Sequence, residues 1–296
     1  MMAMDGVIAR ISPSAASRSS KWHWLWLVSR DSGAVFGGII LVAMAVLSLV
    51  GPYLTGWDSL KVDPMNRLLP PSGSHLLGTD GFGRDMLTRV LYGARLSLLV
   101  GLATMIGSTV LGTLVGLLAG YFKEIDGVVM RVMDGFMAFP SILLAIAIMA
   151  SIGPRTENVI AALTVVYLPR IARLVRGQVL MVRELLYVEA ARALGAGSWR
   201  ILLLHTLPNC VSPLIVQGSF TFAFAVISEA SLSYLGAGVP PELPTWGNML
   251  YEGVPLMAAA WWMSVFPGIA IVVTVLGLNQ LGDGLRDSLD PRMQMR

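Results

Sequence analysis

Charged residues are so sparse along this chain that the uncharged intervals between them form its main pattern. No Asp, Glu, Lys or Arg falls within residues 33–54, 96–122 or 135–154. A hydrocarbon core about 30 Å thick is crossed by about 20 apolar helical residues, so each interval predicts one transmembrane helix. Residues 158–169 supply only twelve positions before Arg170. A fourth helix therefore has to continue through Ile171, Ala172, Leu174 and Val175, its arginines reaching toward the headgroups. In the interval between Arg200 and Glu229, Pro208 and Pro213 lie near the start and place a fifth helix at residues 209–228. A sixth is expected at residues 261–281.

The pattern thus predicts an all-α polytopic membrane protein with six transmembrane helices and both termini on one side. Lys and Arg in the loops decide which side. With a cytoplasmic N-terminus, the cytoplasmic side carries fifteen of them and the other side six, five of these between the first two helices. Both termini are therefore expected in the cytoplasm. The resulting organisation is an N-terminal cytoplasmic segment (1–32), a first helix (33–54), an extracytoplasmic loop (55–94), a five-helix core (95–285) and a cytoplasmic tail (286–296). The apolar run after Arg30 is of span length with no A-x-A site behind it, unlike a cleaved signal peptide. Trp22, Trp24 and Trp26 between Lys21 and Arg30 have the composition of an interfacial elbow helix or an aromatic belt. Gly112, Gly116 and Gly120 mark a close-packing stripe on the second helix. Trp246, Trp261 and Trp262 are read as outer interface anchors.

Composition narrows the function. Only 13% of residues are charged and 55% are hydrophobic, against about 25% charged in soluble domains. The single cysteine, Cys210, permits no intramolecular disulfide, and His23, His75 and His205 are too scattered for a compact metal site. Basic residues are spread over the breaks between apolar segments, whereas nucleic-acid binding needs them clustered. No G-x-x-x-x-G-K-[ST] phosphate loop is present, so this chain carries no ATP site of that type. Neither G-x-S-x-G nor H-E-x-x-H occurs, which argues against a membrane hydrolase. A secondary transporter normally shows ionisable groups or broken helices at mid-membrane, and the expected spans have almost none away from their ends.

Residues 176–208 form a connector longer than two helices need. Within it Leu185, Leu186, Ala190, Ala193 and Leu194 fall near helical spacing, with Arg183, Glu184, Glu189 and Arg192 as a polar side. Gly195 and Gly197 end that helix, and a second apolar segment ends at Pro208. On spacing alone Glu189 is a surface carboxylate pairing with Arg192, and His205 is a structural histidine.

Glu189-Ala190-Ala191, Gly195, Ile201 and Leu207-Pro208 resemble the EAA loop of permeases in bacterial ABC importers. Four further stretches resemble the second permease of dipeptide and oligopeptide-type systems. They are His75 to Asp85 with Gly78-Thr79-Asp80; Asp126, Met130-Arg131 and Asp134 with Ala138-Phe139-Pro140; Glu229 and Leu232 to Gly236 with Trp246-Gly247; and Asn279 to Asp287 with Asp290-Pro291. Tyr234 stands where that family often has phenylalanine.

The resemblance implies a type I ABC importer permease fold, with the first helix added to a five-helix core. It implies a pore made with a sister permease as a heterodimer, two ATPase subunits that bind ATP and Mg, and a periplasmic substrate-binding protein. No cofactor would be bound by this chain, and the location would be the bacterial inner membrane. Tyr187, Glu189, Ala190, Ala191, Arg192, Gly195 and Ala196 would form the ATPase-coupling helix. Asp80, Arg84, Asp85 and Glu229 remain candidates for gating or binding-protein contact. For the first three, a turn whose carboxylates bind backbone amides is an equal reading; for Glu229, an interfacial structural pair.

Overall fold

The computed structural model describes residues 31–289, so the elbow segment and the end of the tail lie outside the described residues. Among the described residues the structure is helical, with one isolated β-bridge between Thr79 and Asp85. Helix α1 (Ser32–Leu54) starts at Asp31, whose carboxylate accepts from the Ala34 N–H at 2.7 Å. A polar loop with a 3-10 turn at Pro64–Asn66 leads to α2 (Met86–Tyr121). Asp85 caps α2 by accepting from the Thr88 N–H and hydroxyl at 2.9 and 2.7 Å, which satisfies a donor that the helix itself leaves free. Helices α3 (Lys123–Met137), α4 (Ser141–Ile152) and α5 (Thr156–Val182) follow. After the short α6 (Leu186–Ala193), a turn at Ser198–Arg200 and a π-helical stretch at Ile201–Thr206 run into α7 (Leu207–Tyr234). The chain ends with α8 (Trp246–Gly253) and α9 (Trp262–Leu289).

Five helical segments are long and apolar enough to cross a membrane, and the bent pair α3–α4 makes a sixth if counted as one span. The expected span at 135–154 is therefore corrected. Instead of one continuous helix, α3 and α4 meet at a bend of 94°. Pro140 has no N–H to donate and disfavours helical geometry at Phe139, so the helix stops there and restarts at Ser141. With twelve residues, α4 is roughly 18 Å long. Other boundaries move outward because capping, rather than the last apolar residue, ends a helix. Thus α2 starts at Met86, not Leu96, and α7 and α9 continue to Tyr234 and Leu289. Pro208 does not end a segment but stands in the first turn of α7, directly after the π-helical stretch, so its missing N–H falls where the helix changes type. The fourth span continues through its arginines as expected.

The glycine stripe packs α2 against α5. A Cβ added at Gly112 would meet the Ile171 side chain at 2.8 Å, at Gly116 the Ala172 carbonyl and Val175, and at Gly120 the Val179 side chain at 2.7 Å. The two backbones are close because nothing projects between them. Gly37 of α1 and Gly277 of α9 give the same close approach between those two helices, a Cβ at Gly37 meeting the Gly277 carbonyl at 2.5 Å. At the other end of the bundle, Trp246 is fully buried and its indole donates to the Val90 carbonyl at 3.0 Å. Trp262 is nearly as buried and donates to the Thr79 carbonyl at 3.0 Å. These two tryptophans are core residues that fasten α8 and the 55–85 loop to the bundle, whereas Trp261 is exposed.

Candidate functional site

The connector between α5 and α7 is built around one buried side chain. Val188 of α6 is fully buried against Val182 and Ile201, with Tyr121 and Ala196 packed beside them. Tyr187, Glu189, Ala190, Arg192 and Gly195 are exposed, and Ala191 and Ala196 are half-buried. Of the apolar residues at helical spacing, Leu186 is 82% and Leu194 89% exposed. This eight-residue helix, with one buried valine, thus leaves most of its surface exposed, apolar side included.

Gly195 makes the exit turn. Its φ is +83°, and two bonds close the motif: Ala196 N–H to the Ala191 carbonyl and Gly195 N–H to the Arg192 carbonyl, both 3.0 Å. This pairing is a Schellman C-cap, whose left-handed position favours glycine. Glu189 makes no ion pair with Arg192; both line an open cleft of about 410 Å³ with Lys123, Glu124 and Arg183. Tyr187 accepts from the Asn209 amide at 3.2 Å, and its ring lies 6.0 Å from that of His205.

Asp80, Arg84 and Asp85 lie together at the opposite end of the bundle, in a buried polar cluster. One Asp80 oxygen accepts from the backbone N–H groups of Phe82 and Arg84, and the other from Arg84 Nε at 2.6 Å. Arg89 Nη1 sits 3.0 Å from the same oxygen. Both arginines also reach Glu252 of α8, at 2.9 Å from Arg84 and 3.2 Å from Arg89. Burial pushes the Glu252 carboxyl up to about 7, with the Asp80 charge adding to the rise and Arg84 opposing it. Asp85 also takes His75 Nδ1 at 3.0 Å. Sequence reasoning missed Arg89 and Glu252; the signal for Glu252 was an acidic residue in a stretch, 236–260, without Lys or Arg.

Glu229 belongs to neither end surface. It is fully buried and accepts from Ser97 Oγ of α2 at 2.8 Å and Ser233 Oγ at 2.9 Å. Ser97 Oγ in turn lies 3.4 Å from the Trp246 N–H, so the carboxylate ties α2, α7 and α8 together. No group of three or more His, Cys, Asp and Glu side chains suited to a metal occurs among the described residues.

Residues 108–295 match the family described as the binding-protein-dependent transport system inner membrane component. The chain belongs to this family. Residues 24–71 match the N-terminal transmembrane domain of oligopeptide transport permease C. Among curated relatives, the dipeptide transport system permease protein DppC of Alkalihalophilus pseudofirmus is 44% identical, over 90% of this chain and 88% of that protein. The glutathione transport system permease protein GsiD of Pectobacterium atrosepticum is 41% identical over 92% of each chain. A di/tripeptide permease protein DppC of Pseudomonas aeruginosa is 41% identical over 90% of each. A solved structure of the MetNI methionine ABC transporter in inward-facing conformations shares the fold, with a TM-score of 0.57 and 22% identity over 69% of this chain and 98% of that one. The protein is the membrane-spanning permease component of an ATP-driven importer, in which ATP hydrolysis belongs to separate subunits.

Proposed function

We propose that this permease imports di- and oligopeptides across a bacterial inner membrane, forming the pore as a heterodimer with a sister permease. Two ATPase subunits dock on α6, and a periplasmic binding protein delivers solute at the end carrying α8 and the 55–85 loop. Both termini lie in the cytoplasm. The names of the relatives, all of them peptide-class transporters, support the solute. The observation that carries the coupling site is α6 itself, with Val188 its one buried residue and Tyr187, Glu189, Ala190, Arg192 and Leu194 exposed.

ATP binding favours one arrangement of the ATPase pair, and α6 moves with it, because its valine anchor and Schellman turn make it rigid with the start of the Ser198–Tyr234 segment. The pore then shifts between inward-open and outward-open populations. A cysteine at Ala190 tests the docking. Cys210, the only native thiol, is fully buried, so a bifunctional maleimide reports on residue 190. In the assembled importer, Ala190→Cys is expected to cross-link to an ATPase subunit, with a yield that changes when ATP is added. Adducts to other proteins only would remove the coupling assignment.

A further inference from the structure

Arg170, Arg173 and Arg176 follow one another along α5 at three-residue steps. Two of them find carboxylates on α3: Arg173 meets Asp134, and Arg176 meets Asp126 through two hydrogen bonds. Arg170 pairs with no carboxylate among the described residues. Its guanidinium lies over the Phe224 ring of α7, 5.8 Å from the centroid, and the side chain is exposed. Arg170 is also the deepest of the three, roughly 21 Å along α5 from Thr156 and roughly 18 Å from Val182. A cation at such depth is costly unless it faces water or an anion.

The surroundings give an independent reason to place it on an aqueous path. Arg170 lines a cavity of about 80 Å³ with Phe139, Ser141, Leu144 and Tyr167, where the α3–α4 helix is interrupted. Non-helical backbone inside a membrane is tolerated only where it is buried in protein or lines a water-filled space. The backbone beside the cavity is tied across to α7, since Tyr167 donates to the Phe224 carbonyl at 3.2 Å and shares a 2.7 Å hydrogen bond with Ser228. The result is a positioned cation at a broken helix, with an open face and its in-chain stacking partner already supplied.

We propose that Arg170 receives the carboxylate of the solute as it passes the α3–α4 break, through the paired N–H donors of the guanidinium. The geometry of that group matches a carboxylate. With the neighbouring Arg173 already paired to Asp134, a single unpaired arginine binds weakly enough to release, as conduction requires. The inference rests on the peptide reading, because a peptide brings a C-terminal carboxylate.

The test uses the full importer reconstituted in proteoliposomes, with a mixed tripeptide library and the same library amidated at its C-terminus. Uptake is measured for the wild type, Arg170→Gln, Arg170→Lys and Arg170→Glu. The free-acid library is expected to fall about tenfold with Gln, as for loss of a hydrogen bond to a charged group, and further with Glu. Lys, which keeps the charge but not the paired donors, should fall between the wild type and Gln, and the amidated library should change less than twofold throughout. Equal losses for Lys, Gln and Glu, or for both libraries, would overturn the role and assign Arg170 to packing or to an acid of the sister permease, leaving the peptide reading intact. Uptake of neither library by the wild type would remove the peptide reading and this inference together.

Discussion

Gly195 lends itself to a graded perturbation, because its constraint is conformational and not steric. Its φ is +83°, and a Cβ built there meets nothing within 4 Å. An L-residue held in the left-handed region costs roughly 1–2 kcal/mol, with Asn the best tolerated after Gly and β-branched residues the worst. The substitution therefore charges that amount to the Schellman turn alone, leaving Val188 and the bundle untouched. If the turn holds α6 in its docking orientation, the oriented population falls roughly five- to thirty-fold, since 1.4 kcal/mol is a factor of ten. Transport per ATP hydrolysed by the reconstituted importer should fall in the order Gly, Asn, Ala, Val, while thermal unfolding of the detergent-solubilised chain changes little. Wild-type coupling with Ala and Val would refute the argument. So would a loss for Asn greater than for Ala, because that order points to side-chain contact and not backbone strain.

Glu252 and the glycine seam give two further expectations. Burial raises the Glu252 carboxyl from an ordinary value of 4.5 to about 7, so between these values the folded chain holds a proton that the unfolded chain gives up. Stability from this group is fully present below about pH 4.5 and is lost as pH rises through about 7. The difference in melting temperature between the wild type and Glu252→Gln should therefore shift against the wild type from pH 5 to pH 8; a constant difference would show that the group does not titrate in this range. At Gly116, Val would drive its side chain into the Ala172 carbonyl and Val175, costing about 1–3 kcal/mol by overpacking. Gly127→Ala, on an open face of α3, should instead be neutral or stabilising by up to about 1 kcal/mol, and equal melting shifts for the two would contradict the close α2–α5 approach.

The apolar spans and the short helix of the connector were legible in the sequence, because charge-free intervals and helical spacing are local signals. What local signals miss is who packs against whom. Nothing near Arg89 marks it as the partner of Glu252, more than 160 residues away, and Arg89 in a long loop reads as a solvated charge. The same limit explains Trp246 and Trp262, whose indoles are satisfied by carbonyls in α2 and the 55–85 loop. In α6 the helical spacing was legible but the buried Val188 was not, since an apolar stripe does not say which of its members this chain covers, and Leu186 and Leu194 are exposed. Pro140 was visible, yet an uninterrupted charge-free run outweighed it.

The continuity of Ser198–Tyr234 sets the scale of any motion. Its 37 residues make a rod of roughly 55 Å, longer than the roughly 40–45 Å from headgroup to headgroup. Pivoted at its connector end, such a rod moves its far end by roughly 10 Å for a tilt of about 10°. Glu229 and Ser233 sit near that far end, clamped to α2 and α8. Angular changes too small to break a single side-chain contact at the connector end therefore become displacements of atomic-radius size or larger at the α8 end, and the serine–glutamate clamp decides how much of the bundle travels with them.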